Sequence, residues 1–236
     1  IYTLSLHDAL PISIYSCYSN MFQGCTGLTS LPTLPATTLD GYCYYYMFNG
    51  CTSLTTVPSN YLPLTTLATS CYGGMFGGCT SLTTVPTLPA TSLSELCYQN
   101  MFRDCSSLTS APALPATTLA SSCYLNMFNG CTSLTTAPEL SSTSLVYQCY
   151  YGMFNRCSSL TSAPALPATT LAIECYQYMF SGCTNLNYIK CLAADVSVAR
   201  CILGWVDGVA SSGTFVKARG VTWATGIPSG WTVVEE

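Results

Sequence analysis

A nine-residue string recurs seven times in this chain, and that recurrence limits the fold more than any other feature. It reads CYSNMFQGC from Cys17, CYYYMFNGC from Cys43, CYGGMFGGC from Cys71 and CYQNMFRDC from Cys97. It returns as CYLNMFNGC from Cys123, CYYGMFNRC from Cys149 and CYQYMFSGC from Cys175. Successive copies start 26, 28, 26, 26, 26 and 26 residues apart. A length of 236 residues would otherwise suit one or two ordinary domains. A fixed period of this size instead specifies a stacked array, in which one unit cannot bury its apolar face alone and neighbours share a continuous core.

One copy, TLASSCYLNMFNGCTSLTTAPEL from Thr118, shows the local pattern. Leu119, Cys123 and Met127 stand at i, i+4 and i+8, and Tyr124 and Phe128 form a parallel pair. That spacing predicts a broad apolar helical face about three turns long. Thr118 suits the N-cap, and Gly130 suits the left-handed residue that closes a helix. Five of the seven copies keep glycine there, with Asp104 and Arg156 as the exceptions. A short strand is expected next through Leu134-Thr-Thr-Ala137, ended by Pro138, which cannot donate to a ladder. A second proline (Pro35, Pro89, Pro115 or Pro167) shapes the return turn. Two extra residues around Ser59-Asn60-Tyr61 account for the 28-residue step and mark an exposed turn. The expected architecture is an α/β repeat solenoid of short parallel strands and short helices. Its strand face carries rows of Thr and Ser, and its helix face Tyr, Asn and Gln.

The MF-x-G-C-T-S-L-T core resembles the BspA-type leucine-rich repeats, whose units carry an aromatic-x-x-Cys-x-x-Leu centre. Phe128, Cys131 and Leu134 fall on that pattern, as do Phe48, Cys51 and Leu54. The likeness covers roughly 13–190. The upstream cysteine, the 26-residue length and the paired prolines are departures from it. The resemblance implies a leucine-rich-repeat-like right-handed coil in an elongated surface or secreted protein used in adhesion or partner binding.

The two ends read differently from the middle. Residues 1–12, IYTLSLHDALPI, resemble the translation of a sequencing adapter at every position, and are set aside as an artefact; the alternative is a true N-terminal strand. Six copies have leucine four residues before the first cysteine, and the first copy has Ser13 there, directly after that string. On this reading the native N-terminus is missing and seven copies is a lower bound. Past Cys183 the pattern fades. A helix is expected over about 195–210, strands in GTFVKA and GWTVVEE, and a small mixed C-terminal cap over 191–236. The tail resembles C-terminal segments of repeat proteins from gut Bacteroidales and their phages.

Charge and cysteine usage narrow the function. Charged residues make up 7% and the net charge is −4 with six Lys+Arg, which argues against a nucleic-acid partner. No apolar run is long enough to span a membrane. Fourteen of the sixteen cysteines fall in C-x7-C pairs rather than zinc-type C-x-x-C pairs, and the one histidine, His7, lies in the adapter-like string. Metal and cofactors are therefore not expected. Across a helix the paired cysteines would stand about 12 Å apart, beyond disulfide reach, so they read as buried core columns, with bridges between adjacent coils as the alternative. The last pair, Cys191 and Cys201, departs from the C-x7-C spacing and is the candidate disulfide. A cysteine nucleophile would lack a base, and the carboxylates recur in no column, so no catalytic residue is expected and the chain reads as a non-enzyme.

Tyrosines carry the functional signal. The one after each first cysteine is periodic and reads as packing. Tyr45, Tyr46, Tyr61, Tyr151 and Tyr178 are extra and are the candidate ligand-contact residues, because tyrosine joins large contact area to a polar tip. The leading expectation is an extracellular or cell-surface binding module recognising a protein or glycan. The alternatives are a phage or prophage tail-associated receptor-binding or structural protein, and a passive repeat spacer.

Overall fold

The computed structural model describes residues 15–236; the adapter-like string lies outside them. The described residues contain no α-helix. Where short helices were expected, each coil instead carries a ten-residue ribbon of overlapping turns. Eight such ribbons occur, at 15–24, 41–50, 69–78, 95–104, 121–130, 147–156, 173–182 and 199–208.

Backbone hydrogen bonding explains why a ribbon replaces the helix. In the ribbon 121–130, the N–H groups of Cys123, Leu125, Met127 and Asn129 donate to carbonyls three residues back, at 3.1–3.2 Å. The alternate N–H groups of Ser122, Tyr124, Asn126, Phe128 and Gly130 donate across to Tyr147, Cys149, Tyr151, Met153 and Asn155 of the next coil, at 2.8–3.2 Å. Carbonyls divide in the complementary way: Cys123, Leu125, Met127 and Asn129 accept from the preceding coil. The buried ribbon thus satisfies its own polar groups. Every fourth residue is left-handed: Ser122 (φ 54°), Asn126 (φ 52°) and Gly130 (φ 77°) in this ribbon, with the same three positions in the other seven. A left-handed residue at each fourth position forbids an α-helix. Spacing points the same way. Coils joined by ladder hydrogen bonds lie about 4.8 Å apart, whereas packed helices need about 8–10 Å.

The opposite face is also leaner than expected. Parallel pairing between repeats is reduced to single bridges, among them Thr56↔Thr84, Ser110↔Thr136 and Ser162↔Tyr188. Prolines 58, 86, 112, 138 and 164 follow two residues behind the bridge column and end the pairing. Three true strands occur at the C-terminal end: β1 (Tyr188–Cys191), β2 (Thr214–Lys217) and β3 (Thr232–Glu235). They form one parallel sheet in the order β1-β2-β3. Both tail strands expected from sequence are present. The helix expected over 195–210 is not; 199–208 forms the eighth ribbon, whose carbonyls accept from Tyr176, Tyr178, Phe180 and Gly182. The 26-residue register persists through Tyr188↔Thr214 although the cysteine pattern has faded.

Between the two faces lies a core of columns. Tyr44, Tyr72, Tyr98, Tyr124, Tyr150 and Tyr176 stack with ring centroids 5.8–6.1 Å apart and planes within 16°. The phenylalanines from Phe48 to Phe180 stack alike at 5.7–5.9 Å. Both columns end on the buried Trp205, 6.3 Å from Tyr176 and 6.2 Å from Phe180. Trp205, Trp223 and Trp231 each donate the indole N–H to a backbone carbonyl, of Gly226, Ala193 and Ala210. That meets the one polar demand of a buried indole.

The cysteines form two further columns, all buried from Cys43 onward and all free thiols. In the second column each thiol from Cys51 to Cys183 donates to the phenylalanine carbonyl of the preceding coil, as Cys131 does to Phe102 at 3.0 Å and Cys157 to Phe128 at 3.1 Å. Burial pushes the thiols of Cys71, Cys79, Cys131, Cys149 and Cys183 from 9.0 up to about 12.

Two outcomes follow from this architecture. Far-ultraviolet circular dichroism of the folded chain lacks the double minimum of an α-helix; a strong helical spectrum would contradict the ribbon. The raised thiols mean that the folded chain holds protons the unfolded chain releases. Stability is then full below about pH 9 and falls as pH climbs from 9 towards 12. Thermal midpoints measured across that range should be level first and drop steeply after.

Candidate functional site

The single break in the period builds a cleft. The loop through Pro58-Ser59-Asn60-Tyr61-Leu62-Pro63 is two residues longer than its counterparts, so it does not nest on the preceding loop 31–35. A groove of about 590 Å³ opens between them, walled by Leu31, Pro32, Tyr44, Tyr61, Leu64 and Tyr72 among others. The cleft between the regular loops at Pro112 and Pro138 is smaller, at about 380 Å³.

Tyr61 braces this groove. Its hydroxyl donates to the Pro32 carbonyl at 2.7 Å, spanning the gap between loops. Its ring is wedged 6.3 Å from Phe48 and 6.5 Å from Phe76. Tyr44 accepts from the Ala36 N–H at 3.2 Å. Burial pushes the phenols of Tyr44, Tyr61 and Tyr72 well above their ordinary value. They stay un-ionised at any physiological pH, and no charged residue lines the groove. The site therefore offers apolar contact and neutral hydroxyls, which suits an uncharged surface.

The other four candidate tyrosines sit elsewhere. Tyr45 and Tyr46 meet edge to face at 4.5 Å, and Tyr151 and Tyr178 at 5.8 Å. All four are half-buried in the ribbon layer. Tyr45 lies over Gly73 and Tyr46 over Gly74; an added Cβ would stand 2.9 Å and 2.7 Å from those rings. Tyr178 covers Gly204 in the same way, at 2.5 Å. Each large side chain leans onto the next coil, where glycine leaves the room. Hence the Gly73-Gly74 doublet and the Tyr45-Tyr46 doublet answer each other one coil apart. Of the five candidates, only Tyr61 lines the groove. Tyr44 and Tyr72 line it too, although their periodicity marked them as packing; the signal that could have found them is that they belong to the coils on either side of the insertion.

Cys191 and Cys201 are both buried and both free thiols in this structure. The Cys201 thiol donates to the Val196 carbonyl at 3.3 Å. Among the described residues no three His, Cys, Asp or Glu side chains converge as metal ligands, and no helix is long and apolar enough to cross a membrane.

The fold and the groove define a repeat solenoid of the leucine-rich class, one coil per layer, with a lateral cleft where the repeat is interrupted. The model of the BspA type leucine rich repeat region matches in six copies, over residues 18–161 and 98–197. The chain belongs to that family, whose repeats are commonly surface adhesion or binding repeats. A solved leucine-rich repeat protein from Bacteroides ovatus is similar over 92% of this chain and 86% of its own, at 14% identity and a TM-score of 0.24. No curated protein matches.

The tyrosine–glycine pairing is testable. Gly74 is left-handed (φ 60°) and lies under the Tyr46 ring, so Gly74→Ala faces both backbone strain and a clash. It should cost roughly 1–3 kcal/mol of stability. Adding Tyr46→Ala should recover the clash and leave the backbone strain, so a double-mutant cycle gives a clear coupling. Additive effects would show that the ring does not rest on Gly74.

Proposed function

We propose that the chain is a non-enzymatic binding module of a surface-exposed or secreted protein, and that it recognises an uncharged region of a protein or glycan through the groove beside Tyr61. The observation that carries this reading is the location of the groove. It lies where the 26-residue period is broken, its walls are uncharged, and Tyr61 from the inserted loop is tied across it at 2.7 Å. A passive spacer has no use for an interruption that opens a cleft. Uncharged hydroxyls and aliphatic walls suit sugar hydroxyls or proline- and threonine-rich protein loops, and give no purchase on phosphates.

The rest of the surface supports a binding role. Thr55, Thr83, Thr109, Thr135 and Thr161 form an exposed column on the bridge face. Thr83 and Thr135 donate their hydroxyls to the carbonyls of Thr55 and Thr109 one coil back. This face is nearly free of charge and is tied from coil to coil by these hydroxyl bonds beside the cleft.

The experiment is a screen of glycan and protein arrays with the full chain. A ligand is expected whose binding falls at least tenfold for Tyr61→Ala and is unchanged for Tyr151→Ala. A ligand lost equally with Tyr151→Ala would move the site to the ribbon face, and no ligand on either array would favour a spacer.

A further inference from the structure

The columns of cysteine contain one pair unlike the others. Cys17 and Cys43 stand one coil apart in the first column, and their Sγ atoms are 3.2 Å from each other. Further along the same column the thiols turn to backbone oxygens instead: Cys123 to the Cys149 carbonyl and Cys175 to the Cys201 carbonyl, each at 3.9 Å. The two chains at the first pair are already fixed in register, because the Tyr18 N–H donates to the Cys43 carbonyl at 2.9 Å. Ladder-bonded backbones of this kind are about 4.8 Å apart, inside the Cα range of a disulfide. Closing the sulfurs to bonding distance takes about 1 Å of side-chain movement.

We infer that Cys17 and Cys43 are the site of an inter-coil disulfide, formed by exchange with a small disulfide oxidant. Cys17 is half-buried and reachable, whereas Cys43 is buried. The Cys17 thiolate attacks one sulfur of oxidised glutathione, forming a mixed disulfide and releasing one reduced glutathione. The Cys43 sulfur then gives up its proton to water, attacks the Cys17 sulfur and expels the second glutathione as thiolate. Two protein S–H bonds are lost, one S–S bond forms, and one oxidised glutathione becomes two reduced molecules. The product covalently joins two coils that are otherwise held by ladder bonds and packing.

Cys25 provides an internal control. It is exposed, and its counterpart one coil on, Cys51, spends its thiol on the Phe22 carbonyl at 3.2 Å rather than on the Cys25 sulfur. Cys25 should therefore stop at the mixed disulfide.

The test treats the reduced, folded full chain with oxidised glutathione, quenches in acid and alkylates the remaining thiols after unfolding. Peptides are mapped without reduction. Pepsin is the protease of choice, since 1–102 contains no Lys or Arg and acid halts exchange. The expected result is a joined pair of peptides holding Cys17 and Cys43, with Cys25 recovered as the glutathione adduct. In Cys43→Ser the joined pair disappears and Cys17 is recovered as the glutathione adduct. The inference is overturned if wild-type Cys17 ends as a stable glutathione adduct while Cys43 is alkylated, or if Cys17 is found joined to Cys25. The readout is made on the wild-type chain, so it stands even if a variant folds poorly.

Discussion

Everything in this molecule depends on the hydrogen bonds that run from one coil to the next. In the ribbons that have a described coil on both sides, every second N–H is donated forward and every second carbonyl accepts from behind, as Phe128 donates to Met153 and Met127 accepts from Phe102. An α-helix would spend those groups on itself and leave the layers joined by side chains alone. The ribbon instead sets the same spacing on both faces of the coil. That spacing lets Tyr stack on Tyr, Phe on Phe and Cys above Cys without drift. It also leaves stability shared along the array rather than residing in any one repeat.

The arrangement carries a conformational cost. The eight ribbons hold 24 left-handed residues, three each, and 15 of them are not glycine. Asn20, Asn100 and Asn126 are ordinary choices for that region, but Leu96, Tyr46 and Arg156 are not. At about 1–2 kcal/mol per residue the strain is large in sum. It is offset because each such residue in the first seven ribbons is the donor of an inter-coil bond: Tyr46 to Gly73, Leu96 to Ser121, Arg156 to Ser181. A side chain at these positions leans onto the coil ahead, which is why Asp104 is followed by Gly130 and Arg156 by Gly182.

The repeat, its period, the buried columns, the proline-ended bridge face and the two tail strands were legible in the sequence. The helix was the misreading. Leu119, Cys123, Met127 and Cys131 recur every four residues and all four are buried. On an α-helix those positions would turn through about 120°, and Tyr124 and Phe128 would widen the apolar arc further. A stripe that broad does not suit a helix with one buried face. Period four rather than 3.6 was thus written in the columns. What hid it was that Gly130 reads equally well as a helix cap and as the last of three left-handed residues. The groove was half legible: the insertion marked its place and Tyr61 was singled out. Tyr44 and Tyr72 were not, since a residue that repeats in every coil gives no sign of the one coil pair between which its tip meets open space.

That asymmetry bears on how such arrays acquire specificity. A strictly periodic solenoid presents the same surface at every level, so a partner would gain nothing by choosing one level over another. Discrimination needs a position that differs from its neighbours. Here the cysteine and aromatic columns run unbroken through the 28-residue coil, because its two extra residues lie wholly in the loop between Val57 and Leu62, both of which remain buried. The core therefore tolerates the insertion, and its whole geometric consequence appears on the surface as the cleft that Tyr61 spans. In an array built this way, the chemistry of recognition is free to vary in the loops while the ladder of thiols and rings inside keeps the layers in register.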